Sequence, residues 1–297
     1  MAWDIGSLLT RAFTLMAMVI VFGGIFCLYL TAQSGNQVRR HLLKYIKIGA
    51  LAGIIASSLY FFIQVGAFNQ SGLSGMFDTL MISILAQSGL GYAALFRFIA
   101  FFMILSLAIF KNRLSQKKEL TFGKVSLFIF TVAMLLIAYS FSLIGHVAEL
   151  TLVAASAIGL HILAISLWVG SLYPLWYLCK HEEVLRLQKI MQRFGELAII
   201  FVGVLLITGI FIVVQLLEST IELVTTSYGL TLLFKLTGVL ALLFLGAMNK
   251  LKLVPRLTDE KGVVRLQRSI AMELGLALLV LIITAYLTTL VGLSHSG

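Results

Sequence analysis

The 297-residue chain is 60% hydrophobic and 11% charged, with a mean hydropathy of +1.06. A water-soluble domain has too little polar surface to hide that much apolar side chain, so the composition excludes a soluble enzyme or binding module and leaves a protein solvated by lipid. The formal net charge of +10 would suggest nucleic acid in a soluble chain; here it sits in alternate connections between apolar runs and reports topology, so membrane lipid and no nucleic acid is expected as partner.

In hydrocarbon the backbone must satisfy its own hydrogen bonds, which leaves helices or closed barrels. The apolar runs are about 20 residues long and do not alternate, so they are helices. Spans are expected at 5–32, 44–66, 89–110, 123–144, 152–178, 194–217, 226–250 and 267–291. The fold class is therefore all-α, a polytopic membrane protein of about eight transmembrane helices in a single integral membrane domain, 1–297. The first run, Phe13–Leu30, exceeds a signal-peptide core and reads as a retained helix.

Arg39, Arg40, Lys44 and Lys47 lie around the first connection, and Lys111, Arg113, Lys117, Lys118 and Lys124 around the third. The fifth holds Lys180, Arg186, Lys189 and Arg193; the seventh holds Lys250, Lys252, Arg256, Lys261, Arg265 and Arg268. The other connections have no Lys or Arg, only acids such as Asp78, Glu149, Glu218 and Glu222. The positive-inside rule makes the basic connections cytoplasmic and both termini periplasmic. Within the second connection, Phe77, Leu80, Met81, Ile84 and Leu85 recur at helical spacing after Ser74 and before Gly89. This predicts a short amphipathic surface helix capped by Ser74. Pro174, helped by Gly170, is expected to kink the fifth span. Cys27 and Cys179 are too few for a disulfide framework, and both fall toward the inner side.

Arg11, Arg97, Lys235, Glu196 and Glu273 lie within or near apolar spans, where a midplane charge costs about 2.5–3.5 kcal/mol and calls for a partner or a wet interior. Tyr228, Thr231, Lys235 and Asn249 share a face of the seventh span. Ser269, Glu273, Thr284 and Thr288 share one on the eighth, and together they predict a polar seam. Arg11 and Arg97 are expected to snorkel to the outer headgroups. Ala155 with Gly159 and Ser166 with Gly170 permit close helix packing.

Three histidines, His146, His161 and His295, fall on the outer side. His146 and His161 flank the turn between the fourth and fifth spans, where two imidazoles could meet. Imidazole suits copper, zinc, iron or nickel. His41 and His181 lie among the inner basic residues, and Cys179 with His181 is a weak pair for copper(I). No hydrolytic triad, zinc-protease helix, phosphate loop or dinucleotide fingerprint is present, so no enzymatic activity is expected.

Several motifs occur in order: Gly145-His146; His161-Ile-Leu-Ala-Ile-Ser-Leu-Trp168-Val-Gly170-Ser171-Leu172; Arg193-Phe194 with Thr208-Gly209; Tyr228-Gly229 before Lys235; Asn249-Lys-Leu-Lys-Leu-Val254-Pro255-Arg256; and Glu273. Residues 145–297 so arranged closely resemble the CopD/PcoD copper-resistance membrane proteins. Residues 1–144 are similar more loosely, through Arg11 with Phe22-Gly23-Gly24 and through Arg97. The resemblance implies an inner-membrane protein moving copper ions from periplasm to cytoplasm, working with a CopC-like periplasmic copper-binding protein. It implies His146 and His161 as metal ligands, and Trp168, Lys235, Asn249 and Glu273 as pathway or framework positions. Two positions differ. Thr14 stands three residues after Arg11, where family members often carry a histidine, and Ser171 replaces the usual second glycine. Two other readings are a haem-binding electron-transfer protein with His146 and His161 as axial ligands, and a non-transporting membrane partner of a periplasmic copper carrier.

Overall fold

The computed structural model describes residues 2–116, 123–144, 151–216 and 221–291. His146, His295, Glu149 and Glu218 lie outside the described residues. The helices are α1 (Ala2–Leu30), α2 (Asn36–Asn69), α3 (Thr79–Ala86), α4 (Gly89–Gln116), α5 (Lys124–Ser140), α6 (Leu152–Leu178), α7 (Val184–Leu216), α8 (Glu222–Thr225), α9 (Ser227–Met248) and α10 (Glu260–Tyr286). Seven of them are long and apolar enough to cross a bilayer: α1, α2, α4, α6, α7, α9 and α10. The fourth expected span is the 17-residue α5, about 25 Å long at 1.5 Å per residue, which ends at Ser140 rather than 144. The chain is an all-α polytopic membrane protein.

α1 is the hub. It packs against α2, α6 and α10 and buries Val21, Phe22, Ile25, Cys27 and Leu28. At the crossing with α6, a Cβ on Gly23 would stand 1.9 Å from the Gly170 carbonyl carbon, and one on Gly170 would stand 2.0 Å from the Val19 oxygen. Only hydrogen fits at either position, so the two backbones touch. Pro174 lies inside α6 and cannot donate to the Gly170 carbonyl four residues back. The Tyr45 hydroxyl of α2 donates to that oxygen instead, at 3.4 Å. A single glycine thus admits α1 and presents the carbonyl that proline left open.

By contrast α7 beyond Glu196 is apolar almost all round, with Ile199, Ile200, Ile207, Ile210 and Val214 exposed, as a lipid-facing helix should be. The surface helix forms as α3, but its cap is Asp78, whose carboxylate accepts from the Met81 N–H at 2.8 Å. Ser74 sits instead in a preceding 3₁₀ turn, Leu73–Phe77. A carboxylate at the helix N-terminus is the stronger acceptor.

The ends of the bundle differ in chemistry. His41 meets Tyr173 and Tyr177, Gln188 donates to the Val254 carbonyl, and Gln267 donates to the Trp176 carbonyl, so the first, fifth and seventh connections, all basic, gather at one end. At the opposite end Trp3 lies against Gly66. The snorkelling expected of Arg97 does not occur: it is 5% exposed and its Nε donates to Ser140 Oγ at 2.8 Å. Arg11, partly buried, donates to the Tyr60 hydroxyl at 3.3 Å. Polar hydroxyls inside the bundle hold both guanidiniums there.

Candidate functional site

His161 stands nine residues into α6, on the face toward α7. Its Nδ1 is 3.0 Å from Thr208 Oγ1. Thr208 is 7% exposed and donates its one hydroxyl proton to the Val204 carbonyl at 2.6 Å, so its oxygen can only accept from the ring. The Leu205 carbonyl also lies within reach of the imidazole. The Thr208 acceptor places the proton on Nδ1 and leaves the Nε2 lone pair available as a ligand. Gly209 faces the same ring, since a Cβ there would be 3.4 Å from Cε1. Lys235 of α9 lies within electrostatic range of His161.

One heptad further along α6, about 10 Å down the axis, Trp168 begins a cavity of 330 Å³. Its walls are chiefly apolar, from α6, α7, α9 and α10, and include Phe194, Val202 and Ile270. The polar floor is a pair of side chains. Glu273 of α10 is 3% exposed and accepts a hydrogen bond from the amide of Asn249, 8% exposed. Asn249 opens a π-turn, Asn249–Leu253, in which its carbonyl accepts from the Val254 N–H at 2.9 Å. Such a turn redirects the side chains at the end of a straight helix. Asn249 Oδ1 and the nearby Ser269 Oγ are buried with no partner among the described residues. Lys250 donates to the Gly195 carbonyl at 2.8 Å, so the adjacent ammonium is anchored away from Glu273.

The structure therefore brings together Trp168, Asn249 and Glu273, and separately His161 with Lys235. The continuous seam expected on α9 and α10 is not formed. Thr231, Thr284 and Thr288 bond to carbonyls of their own helices at 2.7–2.8 Å, so Asn249 with Glu273 is the contact the two stripes make. Glu196 is exposed at the helix surface. Thr208 was legible only as half of a Thr-Gly pair in an apolar helix; its role as the ring's acceptor depends on the α6–α7 pairing. Burial pushes the Cys179 thiol up to about 12, so it is protonated in the absence of metal. His181 Nδ1 donates to the Tyr177 carbonyl at 2.9 Å, with the ring stacked on Tyr177. Both cysteines are free.

Comparison with protein families gives two matches. Copper resistance protein D-like, N-terminal domain, covers residues 1–153, and Copper resistance protein D covers residues 188–287. The first spans His146, Arg11 and Arg97; the second spans Thr208, Lys235, Asn249 and Glu273, while His161 and Trp168 fall between the two. No curated protein and no solved structure matches the chain.

Proposed function

The chain belongs to the copper resistance protein D family, and from that premise we propose that it carries copper ions across the bacterial inner membrane, from periplasm to cytoplasm. The observation that carries the reading is the fixed tautomer of His161. Its Nδ1–H is held by Thr208, and its Nε2 is left free to bind a metal in a helix with few other polar side chains. Imidazole is a competent copper ligand, and the hydrogen bond on its other nitrogen raises its basicity. His146, in the connection that leads into α6, is the second ligand. Copper leaves this pair past Trp168 toward the cavity floored by Glu273 and Asn249, whose carboxylate attracts a cation inside an otherwise apolar wall. Lys235, within electrostatic range of the histidine, sets the charge at the mouth.

Sidedness follows from the positive-inside rule. The end bearing the basic connections is cytoplasmic, and both termini are periplasmic. Copper is handed to the mouth by a CopC-like periplasmic copper-binding protein. No covalent step is needed, so the protein acts as a carrier and not an enzyme.

The test is copper accumulation and metal content of the purified protein, wild type beside His146→Ala/His161→Ala. The double variant inserts normally, retains no copper and abolishes uptake. Undiminished uptake would reject the ligand pair. Wild type reconstituted alone in liposomes supports copper flux; absence of flux would favour a docking partner for a periplasmic carrier over a transporter.

A further inference from the structure

The cavity that begins at Trp168 opens sideways into the bilayer. α7 packs on α6 and α9 packs on α10, and the main bridge between α7 and the α9 side is the π-turn Asn249–Leu253, where the Lys250 ammonium donates to the Gly195 carbonyl. Ile199 of α7 and Ala247 of α9 both line the cavity and are exposed, so its mouth is the slot between these two helices. Both helices are membrane spans, and a slot between them faces lipid chains rather than water.

The polar groups lie toward the deep end. Leu266 and Glu273 both line the cavity from α10, and Glu273 is seven residues, about 10 Å, farther from the start of that helix. Glu273 accepts from the Asn249 amide, while Asn249 Oδ1, on a side chain in a residue 8% exposed, has no partner among the described residues. Ser269 Oγ, one turn before Glu273 on α10, is also buried without a partner there. Carboxylate and amide oxygens are acceptors, and a buried acceptor with no donor costs about 1–3 kcal/mol. The remaining wall is chiefly apolar, with Trp168 and Phe194 contributing aromatic rings.

A molecule that enters from the bilayer and satisfies this floor needs a hydrocarbon body and an uncharged hydrogen-bond donor at its tip. A phospholipid headgroup does not qualify, because its phosphate would pass about 10 Å of apolar wall and stop beside a carboxylate of like charge. An acyl chain alone fills the walls but brings no donor. A membrane quinol has every part: a ring with two O–H donors, no charge, and one chain that trails back into lipid. The volume of 330 Å³ is in the range of small-molecule sites. We infer that the cavity between α6, α7, α9 and α10 binds the ring of a membrane quinol, with a hydroxyl donating to Asn249 Oδ1 beside Glu273 and the chain leaving between α7 and α9. Copper takes no part in this binding, so the site stands whether or not the ion passes through the cavity.

The test uses the full chain in a lipid-stripped maltoside detergent, free of copper and oxygen, with a decyl-chain benzoquinol as probe and quenching of tryptophan fluorescence as readout. The quinol quenches saturably. The corresponding quinone, which has no O–H to donate, binds about tenfold more weakly, and Asn249→Leu weakens the quinol by a similar factor, as expected for one hydrogen bond to a buried acceptor. Ala198→Phe, which fills the cavity from α7, abolishes quinol binding. Equal affinity for quinol and quinone, or wild-type affinity in Asn249→Leu, would overturn recognition of a donor at the floor. Wild-type binding by Ala198→Phe would place the probe elsewhere, and displacement of the quinol by phosphatidylglycerol at equal concentration would give the cavity to a phospholipid; either result ends the proposal. Should Asn249→Leu fail to fold, Ala198→Phe and the comparison of quinol with quinone decide the matter.

Discussion

Replacing Thr208 by valine tests the tautomer on which the copper mouth depends. Valine keeps the shape and removes the oxygen that lies 3.0 Å from His161 Nδ1. The lost hydrogen bond is worth about 1 kcal/mol net, and up to about 3 kcal/mol if the buried donor finds no other acceptor. The proton is then free to move to Nε2, the nitrogen needed for the metal. Removing the partner of a metal-binding histidine costs about 10–100-fold in affinity, equivalent to about 1.4–2.8 kcal/mol. Copper affinity of the purified protein, measured by competition against a chelator, should fall by that factor. Thr208→Ser, which keeps the acceptor, should remain near wild type. Gly209→Ala is the steric control: its new methyl meets Cε1 at an ordinary 3.4 Å and leaves the hydrogen bond in place. If Thr208→Val binds copper as wild type does while His161→Ala does not, the ring is held by something other than this hydroxyl and the reasoning fails.

Gly23→Ala or Gly170→Ala should cost more than the 1–3 kcal/mol typical of overpacking, because the methyl meets backbone 1.9–2.0 Å away and the helices must part. Membrane abundance and the unfolding midpoint should both drop. Glu273→Leu should halt copper flux through liposomes while leaving copper bound at His161, since it removes the one carboxylate of the cavity. Flux at the wild-type rate would show that ions do not pass this floor. Cys179 should resist maleimide at pH 8 in native membranes and react after unfolding in detergent. A thiol raised to about 12 from 9.0 is protonated there, and the thiolate is the reactive form. Rapid native labelling would contradict the burial.

What is local or periodic in this chain is legible along its length. Eight apolar runs, the basic connections and the surface helix all depend on neighbours within a turn or two, so they can be read without knowing what packs on what. Even there the cap is Asp78 and not the expected Ser74, because Ser74 falls in the preceding 3₁₀ turn. Trp168, Asn249 and Glu273 were singled out one by one, but their meeting around a single cavity came from the pairing of α6, α7, α9 and α10. The polar stripes misled because a threonine in a helix can bond its own carbonyl four residues back, which makes a seam in projection and none in space. Arg97 misled for a related reason. Its depth was visible, but not the Ser140 hydroxyl and Phe141 ring that hold it inside.

Residue order by itself determined that this is an all-α membrane protein with its positive charge in alternate connections, because hydrophobic length and loop charge act residue by residue against the bilayer. The tertiary structure alone decided which polar groups share a partner: His161 with Thr208, Glu273 with Asn249, Arg11 with Tyr60. Those pairings span tens to scores of residues and are set by where helices cross, as at Gly23 and Gly170, where the absence of two side chains lets α1 and α6 touch.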